Sequence, residues 1–187
     1  MGVTAAQARQ PVIDWAITCD AVGNSYKAAG NYGEASKLFK AAMEVKTTVL
    51  GNDHLSLANS YDSLGSVYQE KGDLREAEYY FIDALKITEK TLEPECHETF
   101  IRMDKLARLY IKEGKYKQAE DLYLRASHFW KVESSKYGDE ARVAFALGSL
   151  YAQEHKYEAA LPYLERALEL AKKFNGPDSI AVVPYLK

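Results

Sequence analysis

The sequence predicts an all-α fold, a solenoid of antiparallel helix pairs with four full repeats followed by a partial fifth helix. Three observations carry this. A short segment recurs so that Tyr26, Tyr68, Tyr110 and Tyr151 stand 42, 42 and 41 residues apart. A fixed period of this size marks a helical array, because one helical hairpin cannot bury its own apolar face and must stack on its neighbours. Within each unit, apolar residues fall at i, i+3, i+4 and i+7, which is one face of an α-helix. Gly or Ala then recurs where the two helices of a unit meet, allowing axes to approach at the low end of the usual ~8–10 Å separation.

Taken in order, residues 1–11 are expected to form a leader that is flexible or extends the first helix. The repeats follow at 12–52, 53–94, 95–136 and 137–177, with a terminal helix at 178–187. The first helices carry Cys19, Val22, Gly23 and Tyr26, then Tyr61, Leu64, Gly65 and Tyr68, then Met103, Leu106, Ala107 and Tyr110, then Ala144, Leu147, Gly148 and Tyr151. Breaks fall at Gly30, Gly72 and Gly114, where glycine adopts positive φ readily, and at His155, where the missing glycine predicts a looser or differently closed turn. Asn31 and Asp73 are the expected caps of the helices that follow. The second helices run through Ala35, Phe39, Ala42 and Met43, with Ala77, Phe81, Ala84 and Leu85, with Ala119, Tyr123 and Ala126, and with Ala160, Leu164, Ala167 and Leu168 as counterparts. Pro162 is expected near the start of its helix, where a missing donor is tolerated. Leu186 falls where Tyr61 stands, inside the first helix of a further unit. The expected explanation is a longer array, or else a shortened cap.

Composition bounds the function classes. Among 187 residues, 47% are hydrophobic and the net charge is −3. That charge offers no basic footprint for nucleic acid. Cys19 and Cys96 stand alone, without a C-x-x-C pair, which predicts reduced thiols and a cytoplasmic setting. The first residues contain no apolar run of signal-peptide length, and no stretch approaches the ~20 apolar residues of a membrane span. Direct membrane insertion is therefore not expected.

Leu-Gly-x-x-Tyr in the first helix and Ala-x-x-x-Phe-x-x-Ala in the second resemble the tetratricopeptide repeat over about residues 12–187. The period exceeds that family's ~34 residues. TVLGNDHLSLANSYDSLGSVY looks like the long-period variety found in kinesin light chain and nephrocystin-3-like proteins, with Leu55 where their linkers carry Pro. The resemblance implies a right-handed superhelix whose first helices line a concave, partner-binding surface.

On that implied surface, helical spacing selects Asp20 and Asn24, then Asn59, Asp62 and Ser66, then Lys105, Arg108 and Lys112, then Arg142, Phe145 and Ser149. The lining changes from acids, amides and hydroxyls to a basic end. The expected partner is another protein, held as an extended peptide or a helix, with acidic groups near repeats three and four meeting Arg forks. Phe145 would be its apolar anchor. The solvated helix face is the competing interpretation for each of these residues. Self-assembly through exposed solenoid ends is the alternative function. Some tetratricopeptide domains clamp a chaperone's terminal carboxylate with Lys and Asn. Here Asp20, Ser63 and Ile101 occupy such places, so that clamp is disfavoured.

No catalytic chemistry is expected. His54, His97, His128 and His155 form no metal-ligand spacing, and there is neither a P-loop nor a nucleophile elbow. Ser60, Asp62 and Ser63 have no partnering histidine. Glu93, Glu95 and Glu98 lack the spacing of a calcium loop. The chain thus reads as a non-enzymatic scaffold without cofactor or metal.

Overall fold

The structure is a computed structural model that describes residues 5–92, 96–130 and 137–176, with only the backbone described at 5–8, 129–130 and 137–139. Among the described residues there are eight α-helices and no strand. The expected terminal helix at 178–187 lies outside them. The helices are α1 (Ala5–Ala28), α2 (Tyr32–Leu50), α3 (Leu55–Lys71), α4 (Leu74–Thr91), α5 (His97–Lys112), α6 (Tyr116–Trp130), α7 (Tyr137–Gln153) and α8 (Tyr157–Asn175). Residues 5–11, expected as leader, are therefore part of α1, which runs through Pro11.

The chain divides into two compact units, Met1–Glu93 and Pro94–Lys187. In the first, α1 pairs with α2 and α3 with α4, and α2 packs on α3. In the second, α5 pairs with α6 and α7 with α8, and α6 packs on α7. Each unit is thus two stacked hairpins.

Steric necessity explains the small residues. A Cβ at Gly65 would lie 2.6 Å from the ring of Phe81, which is itself buried, and one at Gly148 would lie 2.6 Å from Leu164 and 3.2 Å from the Ala160 carbonyl. The second-helix stripe fills what the first helix leaves open: Phe39, Phe81 and Tyr123 are all essentially inaccessible to solvent.

The hairpin turns share one geometry. Gly72 adopts φ 84°, and the next residue's amide returns to the tyrosine carbonyl, Asp73 N to Tyr68 O, at 2.9 Å. Asp73 then accepts from the Glu76 amide at 3.4 Å, and Asn31 does the same for Glu34. The fourth turn corrects the expectation made for His155. Its backbone takes φ 61°, and Lys156 N reaches Tyr151 O at 2.9 Å. The turn closes as the glycine turns do, because the surrounding helices impose the left-handed conformation on a residue with a Cβ. Pro162 lies one turn inside α8, near its start, and the Glu158 carbonyl loses a helical donor.

The joint between the two hairpins of the first unit is polar at its centre. Lys46 of α2 is 2% exposed. Its ammonium pairs with Asp20 of α1 and donates to Ser60 Oγ at 2.8 Å and to the Ser56 carbonyl at 3.2 Å, both on α3. Three helices are tied through one cation, which satisfies the donors that burial would otherwise strand.

Candidate partner-binding surface

The first helices supply the candidate residues, and the structure sorts them by environment. Asn24, Asn59, Arg108, Lys112 and Arg142 are exposed; Ser66, Lys105, Phe145 and Ser149 are half-buried. Two acids are placed differently. Asp20 is engaged with Lys46 and also accepts from Ser60 Oγ at 3.3 Å, and Asp62 is buried. The Asp20 carboxylate is drawn inward by Lys46 of α2 and Ser60 of α3, and the Asp62 side chain is enclosed within the first unit. Ser66 donates to the Asp62 carbonyl of its own helix at 2.9 Å.

In the second unit, three candidates meet in one place. Arg108 of α5 with Phe145 and Ser149 of α7 line a cleft of about 170 Å³, joined by Ile111 and Gln153 and with buried Tyr123 of α6 at its base. Asp104 organises the rim. One carboxylate oxygen accepts from Tyr123 Oη at 2.8 Å and the other from Arg108 Nε at 2.8 Å. Burial and the adjacent Asp104 push the Tyr123 phenol far above the ordinary tyrosine range. Asp104 likewise raises Arg108, mainly through its hydrogen bond. That bond uses Nε and fixes the plane of the guanidinium, and most of the side chain is exposed. Arg142 is placed differently, its guanidinium 5.8 Å from the centroid of the buried Phe100 ring.

Spacing alone did not single out Lys46, Arg102 or the pairing of Asp104 with Tyr123. Arg102 is buried, with Nη1 donating to the Glu98 carbonyl at 3.3 Å. A Tyr at the position of Phe39 and Phe81 was the available signal for Asp104, because a buried hydroxyl calls for an acceptor. Among the described residues, no three His, Cys, Asp or Glu side chains come close enough to hold a metal ion. No described helix is long and apolar enough to cross a membrane.

Comparison with known proteins places this architecture. The fold is similar to the crystal structure of BtubC (BKLC) from P. vanneervenii, with a TM-score of 0.77 at 16% identity over 86% of this chain and 65% of that one. The chain thus spans about two thirds of that relative's length. It is also similar to a Podosopora anserina putative kinesin light chain with nearly identical TPR-like repeats, with a TM-score of 0.76 at 22% identity over 85% of this chain and 76% of that one. A single-substitution form of that protein gives 0.75 at 20% identity, covering 90% and 80% of the respective chains. A search of curated proteins finds no match. The tetratricopeptide repeat model matches residues 16–90, 64–131 and 99–173. The helix pairs, the small-residue contacts and the repeat signature therefore converge: this chain belongs to the tetratricopeptide repeat family, whose repeats are protein–protein interaction modules.

Proposed function

We propose that the chain is a non-catalytic scaffold that holds an extended peptide or a helix of a partner protein in the cleft between α5 and α7. The observation that carries this reading is the convergence of Arg108, Phe145 and Ser149 on one cleft. Phe145 and Ile111 offer apolar area to an anchoring side chain, while the Arg108 fork, already oriented by Asp104, offers paired charge-assisted bonds to a carboxylate. Lys105, Lys112 and Arg142 add positive charge on the same two helices, so the partner is acidic there. In the first unit, Asn24, Asn59 and Ser66 are the groups that bond a partner's backbone. The free thiols of Cys19 and Cys96 fit a reducing, cytoplasmic setting.

The test is affinity capture from native cells with the full chain, compared with a Phe145→Ala/Arg108→Glu variant. Loss of the captured partner with unchanged helicity is expected. Equal capture by both forms would end the proposal. Raised salt should also weaken binding, since the exposed charges are screened over ~8–10 Å.

A second reading, self-association, has its own support. On α1, Trp15, Val22 and Tyr26 are 50%, 42% and 39% exposed, whereas Leu64 and Tyr68, the counterparts of Val22 and Tyr26 in α3, are 0% and 9% exposed. That apolar face is suited to a second copy, and sedimentation at rising concentration tests it.

A further inference from the structure

One cavity in the second unit stands where the first unit has a side chain. In the first unit three rings lie in series: Tyr68 stacks on Tyr80 with centroids 5.4 Å apart and planes at 16°, and Tyr61 meets the Tyr80 ring at 5.9 Å. Met43 of α2 and Tyr61 both pack against the core cluster of Leu57, Ala58, Ala84 and Ile87. The repeat register carries Tyr68 and Tyr80 onto Tyr151 and Tyr163, which keep their contact at 5.6 Å. It carries Tyr61 onto Ala144 and Met43 onto Ser127. A phenol ring and a thioether are thus replaced by a methyl group and a hydroxymethyl group. A cavity of about 180 Å³ results between α6, α7 and α8, walled by Ala144, Leu147 and Tyr163 and opening beside the partly exposed Leu124.

We propose that this cavity receives one tyrosine-like side chain of a partner protein. Its volume is that of a site for a single ring; an apolar cavity of about 150 Å³ suffices for benzene. Tyr163 is the counterpart of Tyr80, the ring that Tyr61 meets in the first unit, so an incoming ring completes a three-ring series already seen in this chain. The rim adds a carboxylate where the first unit has an apolar side chain. Glu140 takes the place of Leu57, which is buried in the first unit, and accepts from Arg166 Nη2 at 3.0 Å. Its carboxylate, held at the cavity wall, supplies an acceptor for the hydroxyl of an inserted phenol. None of these groups belongs to the cleft of Arg108 and Phe145, so the two sites stand or fall separately.

The test titrates the full chain with N-acetyl-Gly-Tyr-Gly-amide, N-acetyl-Gly-Leu-Gly-amide and p-cresol, read by methyl NMR at Leu124 and Leu147. The tyrosine peptide is expected to bind saturably and at least about tenfold more tightly than the leucine peptide, a difference of ~1.4 kcal/mol. Ala144→Tyr, which restores the first unit's arrangement, is expected to abolish that binding while raising the melting temperature. Should that variant fail to fold, Ser127→Met fills the cavity from the opposite wall and reads the same loss. Absence of saturable binding to the unmodified chain, or undiminished binding to the filled variant, overturns the proposal. Binding of p-cresol as tight as that of the tyrosine peptide overturns the polypeptide assignment and makes the site one for small phenols.

Discussion

At the scale of single residues, burial decides what a charge does. Lys46 reads in sequence as one more polar position on α2, yet its ammonium is enclosed by Asp20, Ser60 and the Ser56 carbonyl. Removing one member of a buried pair leaves the other unsatisfied, which typically costs ~3–5 kcal/mol, and the partial exposure of Asp20 argues for the low end. Lys46→Ala should therefore destabilise by ~3 kcal/mol in urea unfolding, and Lys46→Ala combined with Asp20→Ala should cost less than the two singly. A loss within ~0.5 kcal/mol would show the pair to be incidental. His155 makes the opposite prediction. A left-handed residue with a Cβ carries ~1–2 kcal/mol of strain, offset in part by the backbone freedom that glycine loses on folding. His155→Gly should raise stability by ~0.5–1 kcal/mol, measured by the same unfolding curves.

Between elements, a hydrogen bond links the two hairpins of the second unit. Tyr151 Oη on α7 donates to Glu120 Oε1 on α6 at 2.6 Å. The bond to Tyr151 holds Glu120 below the usual carboxylate range, and burial together with Glu120 pushes the Tyr151 phenol well above its ordinary value. The two shifts have opposite consequences. A carboxylate with a depressed folded pKa contributes stability above its unfolded value of ~4.3, lost as pH falls through the folded value. A phenol with a raised folded pKa contributes stability below its unfolded value of ~10, lost as pH rises toward the folded one. Tyr151→Phe should cost ~1 kcal/mol near neutrality and flatten both limbs of the stability–pH curve. Limbs identical to those of the unmodified chain would assign the pH dependence to other groups.

For the whole molecule, a repeat array has stability that is approximately a sum of neighbouring contacts, so an uncovered apolar helix face is tolerated but remains adhesive. The exposure of Trp15 and Val22 on α1 identifies such a face. Replacing both with Glu should abolish any concentration-dependent rise in mass seen by sedimentation while leaving helicity unchanged. A dimer that persists in that variant would have to use another surface.

The sequence by itself determined the helix pairs, their glycine and alanine contacts and the direction of each apolar stripe. These depend on residues a fixed distance apart, and a helix of 3.6 residues per turn converts that distance directly into a shared face. It also brought forward Arg108, Phe145 and Ser149, which recur on the solvent side of the same periodicity. Only the tertiary structure decided which polar residues on that side remain available. Asp20 is drawn to Lys46 from another helix, Asp104 binds both Tyr123 and Arg108, and Ala144 leaves a ring-sized cavity that Tyr61 fills in the first unit. Such outcomes turn on side chains brought together from different helices, whose proximity no periodicity along one helix encodes.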